Sequence, residues 1–393
     1  MIQGYTPPAE LARVRNIALA VGVVFTLALI LGALLNPGQF FHGYLVGFVF
    51  WTGITVGSLA LLCLQNLTGG AWALVIRRVL EASTRTLPLM LLLFIPIALG
   101  LKHIYAWMDP AVMGSTAALQ KKAAFLNPSF FILRTFIYFA IWSAAAILLN
   151  WLSLQQDRAA GRGVKKRMQM VGGPGLVLTI LCVTFAAIDW VMSLDPAWYS
   201  TIFGLIFVAA WSLSALAFTI LVMTWLSARE PMNTVVQPRH THDWGNLTLT
   251  LVMLWTYFAF SQYLIIWSGN LPEETTWFVA RKHGGWGAIA LLIVILQFAF
   301  PFMMLLSRTM KKSAQKLALL AALILAMRVV DVIWLVEPTY SRGAFVFNWM
   351  DYVAPIAIGG LWVGTFAWQL QKRPLLPIND PQLEQALVAH AGH

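Results

Sequence analysis

Ten long, mostly apolar stretches recur along this chain, at about 17–35, 43–64, 85–101, 129–152, 171–193, 201–226, 246–267, 285–306, 316–336 and 352–370. Each approaches the roughly 20 residues a helix needs to cross the hydrocarbon of a bilayer. Within lipid the backbone finds no water to bond, so each stretch must close its own hydrogen bonds as a helix. Pro88 and Pro96 shorten and kink the third, which a bundle tolerates where neighbours satisfy the freed carbonyls. No stretch alternates long enough for a membrane barrel. With 60% hydrophobic and 10% charged residues over 393 positions, the chain has too little polar surface to coat a soluble globule. The expected fold is all-α and integral to the membrane, with ten transmembrane helices.

The first stretch follows Arg13 and Arg15, and no small-residue cleavage pattern closes it before Asn36-Pro37. It reads as a retained helix, with a cleaved signal peptide as the alternative. Of 26 Lys and Arg, eighteen fall on the side holding the N-terminus. Six fall on the other face (Lys102, Lys121, Lys122, Arg281, Lys282 and Arg342), and Arg134 and Arg328 fall inside spans. The positive-inside rule then places both termini in the cytoplasm. The net charge of +11 is thus spread by topology, and the run "RAAGRGVKKRMQ" reads as a loop touching anionic headgroups and not as a nucleic-acid site. Residues 371–393 read as a short, mobile cytoplasmic tail.

The only cysteines, Cys63 and Cys182, lie within spans, so this chain alone cannot hold an iron–sulfur cluster or a cysteine zinc site. His42, His103, His240, His242, His283, His390 and His393 all map to loops or helix ends, which leaves no facing pair for a buried haem. His240-Thr241-His242-Asp243 reads as polar cytoplasmic loop before it reads as a metal site. No phosphate loop or nucleophile elbow occurs, so any redox chemistry here needs a cofactor carried elsewhere. Most tryptophans, including Trp51, Trp107, Trp190, Trp198, Trp267, Trp277 and Trp334, fall near span ends and read as interfacial belts.

A repeat runs through the polar positions. Asp189 precedes Asp195-Pro196 by six residues, with Trp198-Tyr199-Ser200 following; Asp331 precedes Glu337-Pro338 by six, followed by Thr339-Tyr340-Ser341. Aligning Trp107 with Trp267 sets His103 opposite Tyr263. Spans two to five and six to nine therefore read as two copies of one four-helix unit. Four is even, so the copies share an orientation and an axis along the membrane normal relates them. The expected divisions are 1–42 (tail and peripheral helix), 43–200 and 201–345 (the two bundles), and 346–393 (peripheral helix and tail).

Four ionisable groups fall within or beside the hydrocarbon: Arg134, Asp189, Arg328 and Asp331. Each costs about 2.5–3.5 kcal/mol at mid-helix, so none should face lipid unpaired. All four belong to the outer half. Arg328 and Asp331, at i,i+3, can pair directly, either as a structural lock or as a working pair. Asp189 has no partner in its own span, so either Arg134 or His103 supplies one across helices. Intramembrane hydroxyls such as Thr55, Ser58, Ser143, Ser212, Ser214, Thr248, Thr250 and Tyr257 could line an inner half-channel, but such groups more often bond the preceding turn.

The stretches "IDWVMSLDPAWYSTIFG" and "FSQYLIIWSGNLPEET", with the ten-span layout, closely resemble the second quinone-binding membrane subunit of bacterial alternative complex III, a quinol:cytochrome c oxidoreductase. That subunit belongs to the polysulfide reductase membrane-subunit (NrfD-like) family. The resemblance implies two four-helix bundles with a peripheral helix at each end, in the bacterial cytoplasmic (inner) membrane. It implies a subunit with no redox cofactor of its own that meets quinone or menaquinone. Its implied partners are lipid, a homologous NrfD-like membrane subunit, a periplasmic iron–sulfur subunit, multihaem and monohaem c-type cytochromes, and a terminal oxidase; haem c and the clusters sit in those partners. Carried onto this chain, the quinone-binding cluster is His103, Tyr105, Arg134 and Asp189. The counterpart in the second bundle is Tyr263, Arg328 and Asp331, with Glu337. Quinol oxidation releases two protons, so Asp189, with His103 beside it, is expected to accept one and Asp195 to pass it outward. The alternatives are a scaffold that conducts protons without catalysis, and a secondary transporter, against which the off-centre acids count.

Overall fold

The structure, a computed structural model, describes residues 5–158, 162–341, 344–380 and 383. Arg342, His390, His393 and most of the 371–393 tail lie outside the described residues. Among the described residues, ten helices are long and apolar enough to cross a membrane: α1 (Glu10–Leu35), α2 (Pro37–Thr68), α3 (Trp72–Leu99), α4 (Pro128–Arg158), α5 (Gly163–Leu194), α6 (Phe203–Ser227), α7 (Pro238–Gly269), α8 (Trp286–Leu306), α9 (Ala314–Thr339) and α10 (Met350–Gln371). The protein is a multi-pass membrane protein. The end of the bundle that the charge bias assigns outside is called the outer end below.

The packing order is the same in the two sets of four. The first helix of each lies against the second and the fourth, α2 on α3 and α5, and α6 on α7 and α9; α4 lies on α5 as α8 lies on α9. The two first helices meet at the centre. A Cβ on Gly57 would stand 2.1 Å from the Trp211 carbonyl oxygen, and one on Gly53 would strike the Trp211 ring, so only glycine lets α2 and α6 come this close. On the flank, α1 packs on α10 through a similar contact, Gly22 against Gly360. The other side of α1 presents Val24, Leu27, Leu31 and Leu34 outward, as a helix facing lipid must. The α1–α2 break falls at Asn36, whose side chain accepts from Gln39 N at 3.2 Å, so the peripheral helix ends a few residues before 42.

Three expectations need correction. First, the third span starts at Trp72, not near 85, with helical breaks at Arg85–Thr86 and Phe94, where Pro88 and Pro96 open the next segments. Arg77 and Arg78, which precede the expected span on the cytoplasmic side, therefore lie within α3. Arg77 and Arg78 are 1% exposed. They are affordable there because Glu81 bonds both, Nε of Arg77 at 3.0 Å and Nη1 of Arg78 at 2.8 Å, while Asp157, Arg373 and Asp380 complete a balanced network. Second, Trp107, Trp190, Trp198 and Trp277 are buried inside the bundle and form no belt, whereas Trp267 is exposed. Third, His240 is not in a loop but in the first turn of α7, buried, with Nδ1 accepting from Gln237 N at 3.2 Å.

The hydroxyls behave as back-bonding groups. Thr55, Ser58, Ser214, Thr248 and Thr250 each donate to the carbonyl four residues earlier.

Candidate functional site

Asp189 sits near the outer end of α5, 0% exposed. Its partner comes from α4: Arg134 donates from Nε to Oδ2 at 2.9 Å and from Nη2 to Oδ1 at 2.7 Å, the two-pronged geometry that suits guanidinium to carboxylate. One turn along α4 at i+4, Tyr138 donates its hydroxyl to Oδ2 at 2.7 Å. The rest of Arg134 is equally occupied. Nη1 donates to the Phe125 carbonyl at 2.9 Å, and the guanidinium lies 3.7 Å and 4.3 Å from the Phe125 and Phe130 rings. Of the two partners the sequence offered for Asp189, the fold supplies Arg134.

His103 is elsewhere. It is exposed, stacked on Phe41 with centroids 5.2 Å apart, and its backbone carbonyl bonds the His42 ring at 3.0 Å. Tyr105 does come close: it is buried and donates to the Trp190 carbonyl at 3.1 Å. Burial, with Tyr340 and Asp189 nearby, pushes its phenol well above the usual tyrosine range, so it acts as a donor and not as a base. Asp195 is half-buried, and its Oδ1 accepts from Ala197 N at 3.2 Å in a local turn. Among the described residues no hydrogen bond links the Asp189 and Asp195 carboxylates; Ser193, between them, bonds the Asp189 backbone carbonyl.

In the second bundle Arg328 and Asp331 pair directly on α9, both buried. The neighbouring helix contributes as α4 does in the first bundle. Here α8 supplies Gln297, whose amide, oriented oxygen toward Arg328, accepts from Nη1 at 3.0 Å and donates to the Met327 carbonyl at 3.1 Å. Around Gln297, α8 widens into a π-helical turn over Val294–Ala299, just before Pro301, whose ring cannot fit against a regular preceding turn. Asp331 and Tyr263 both line a cavity of about 870 Å³ between α6, α7, α8, α9 and the short helix Pro272–Lys282. Tyr257, Phe260, Leu291 and Val294 line it while remaining exposed, which puts its open side between α7 and α8, toward lipid. Tyr263 packs edge-on against Phe278.

Glu337 does not join that pair. It is buried at the outer end of α9 against Asp351 of α10 and Gln39 of α2, and Gln39 Nε2 donates to Asp351 Oδ1 at 2.7 Å. Tyr340 closes this corner, stacked on the His42 ring at 3.4 Å and donating to the Ile104 carbonyl at 2.8 Å. Between the bundles, Arg281 donates to the Trp277 and Leu335 carbonyls at 3.1 and 2.7 Å, over the Trp277 ring at 3.7 Å. Burial lowers it to about 9, with Asp195 pulling the other way, so it keeps its charge at neutral pH.

Four features escaped the sequence. Tyr138 was legible as the i+4 neighbour of Arg134, and Gln297 as the lone amide in "AIALLIVILQFAF". The Glu337–Asp351 contact and the Glu81 network join distant spans and left no local signal. Among the described residues no group of three or more His, Cys, Asp or Glu could hold a metal ion. In comparisons with known proteins, no family model and no curated relative matches this chain.

Proposed function

We propose that this chain is a membrane subunit of a quinol:cytochrome c oxidoreductase of the alternative complex III kind, acting in a bacterial cytoplasmic membrane. One observation carries the reading: each four-helix set buries an Arg–Asp pair in its outer half, where quinol oxidised at an outer face must shed its protons. The resemblance of the stretches around Asp189 and Tyr263 supports the same assignment. Its partners would be a homologous NrfD-like subunit, an iron–sulfur subunit and c-type cytochromes; this chain contributes quinone interaction, proton movement or both.

The first bundle favours the proton-conducting form of the reading. Three donors already hold the Asp189 carboxylate and the Tyr105 hydroxyl is committed, so little remains to grip a quinol head. A transporter fits less well, since its charged site belongs at the midplane and the acids here sit off-centre.

The test is to tag the chain, purify it from its own membranes and assay covalently bound haem, iron and quinol:cytochrome c activity. Co-purification of all three supports the reading; a chain that elutes without haem or iron refutes it. In the assembled complex, Asp189→Asn that keeps electron transfer but stops proton release selects the conduit, and loss of both selects quinone handling. A complex unchanged in both reduces Asp189 to a structural role.

A further inference from the structure

At the inner end, the start of α7 and the turn between α8 and α9 enclose another cavity, of about 570 Å³. Gln237, Pro238, Arg239, His242, Arg308 and Lys312 line it. The basic residues come in pairs. Arg239 and His242 stand three apart in the first turn of α7, and Arg308 and Lys312 four apart on the short helix Arg308–Lys312, so each pair shares a helical face and both faces border one space. The two walls are fixed against each other. Thr241 Oγ1 donates to the Lys312 carbonyl at 3.2 Å, Lys311 Nζ donates to Asn246 Oδ1 at 2.7 Å, and a Cβ on Gly245 would come 2.6 Å from the Lys311 stem. Gln237 and Pro238 are the N-cap and first residue of α7, so the positive end of a 32-residue helix borders the same space.

Like charges at i,i+4 repel, and among the described residues neither Arg308 nor Lys312 has an ion-pair partner. Asp243 faces His242, Oδ1 to Nδ1 3.7 Å, and is not a lining residue. Positive charge thus enters from two sides, with no carboxylate among the described lining residues to balance it. The walls are mostly apolar, as the stems of long basic side chains and the Pro238 ring supply, which leaves the charged heads at the rim. Just inside the membrane, Met303, Met304 and Leu306 of α8 are exposed. We infer that this cavity is a phosphate site filled by the headgroup of an anionic phospholipid of the inner leaflet, with its acyl chains on the exposed inner half of α8. Basic pockets between helices on the cytoplasmic side suit such headgroups. A free phosphate or a soluble phosphate ester shares the anion, but it makes no use of the apolar walls or of the lipid-facing flank. The site does not depend on the function proposed above.

The test uses the full chain, delipidated in a neutral detergent, titrated with phosphatidylglycerol and followed by native mass spectrometry. Wild type is expected to take up phosphatidylglycerol ahead of phosphatidylcholine, with one adduct saturating first. Arg308→Gln/Lys312→Gln changes two exposed side chains and should weaken that adduct about tenfold to thirtyfold, the scale of two basic contacts to anionic lipid. Arg308→Lys/Lys312→Arg keeps both charges and should keep the adduct. Lys165→Gln/Lys166→Gln removes the same charge near the start of α5 and should leave it unchanged. Equal weakening by the two neutralised pairs reduces the effect to general surface charge and overturns the site. Displacement of the lipid by inorganic phosphate or glycerol 1-phosphate at matched concentration makes this a soluble-anion site and overturns the lipid assignment. Equal uptake of phosphatidylglycerol and phosphatidylcholine overturns the inference outright.

Discussion

Arg134 reaches from α4 to Asp189 on α5 and holds it with two parallel bonds of 2.9 and 2.7 Å, in a setting where both side chains are buried. A pair like this is costly to bring out of water, and breaking it by removing one partner costs far more than replacing both. Arg134→Met should therefore destabilise the folded chain by about 3–5 kcal/mol, and the double variant Arg134→Met/Asp189→Leu by much less. Unfolding of the detergent-solubilised chain in a double-mutant cycle measures both. Additive losses, with the double variant costing the sum of Arg134→Met and Asp189→Leu measured singly, would show that the pair is not coupled.

The centre of the molecule depends on an absent side chain. Gly57→Ala places a methyl carbon 2.1 Å from the Trp211 carbonyl, a backbone atom that cannot swing aside, so α2 and α6 must move apart. Overpacking of this kind costs about 1–3 kcal/mol or more. Gly173→Ala, whose Cβ meets nothing nearer than 3.7 Å, should change stability by about 0.5 kcal/mol or less. Comparable melting losses in the two variants would disprove the close crossing.

At the inner end, Glu81 is the shared anion of three arginines, Arg77, Arg78 and Arg373. Glu81→Gln should leave buried positive charge uncompensated and cost about 3–5 kcal/mol. Glu230→Gln, an exposed acid, should shift stability by roughly 0.5 kcal/mol at most. Through Arg373 the network also fastens the segment after α10, so the Glu81 variant should expose residues 373–380 to protease. If that segment stays protected, its attachment rests on other contacts.

How much of this was legible depends on which physics decided each feature. Apolar length alone decides a membrane span, so the spans could be read wherever no charge interrupted them. The start of α3 failed that rule because Arg77, Arg78 and Glu81 neutralise one another and distant residues such as Asp380, a tertiary fact with no local trace. Asp189 announced that it needed a partner, and the choice between Arg134 and His103 turned on which side of the turn at 101–105 faces in: Leu101, Ile104 and Tyr105 are buried while His103 is exposed against Phe41. Glu337 matched Asp195 by position in the repeat, yet it meets Asp351 because α10, which lies outside the repeat, packs there. The tryptophans misled for a related reason: proximity to a span end fits a lipid interface and an interhelical seam equally well.

The short helix Pro272–Lys282 lies at the outer end over that seam, and its attachment is aromatic. Trp277 stacks on Trp198 at 4.6 Å with planes 13° apart, and Arg281 covers the other part of Trp277 at 3.7 Å while bonding the Leu335 carbonyl. Arg281→Ala removes the cation and two bonds to carbonyls, which together are worth about 1–3 kcal/mol. Arg281→Lys keeps the charge but cannot reach both carbonyls from one nitrogen, so it should recover only part of the loss. Hydrogen exchange of the 272–282 amides should accelerate in the order wild type, Lys, Ala. An exchange rate that ignores position 281 would show that the helix is held without Arg281, by the tryptophan stack and the Trp198 indole bond to the Glu274 carbonyl.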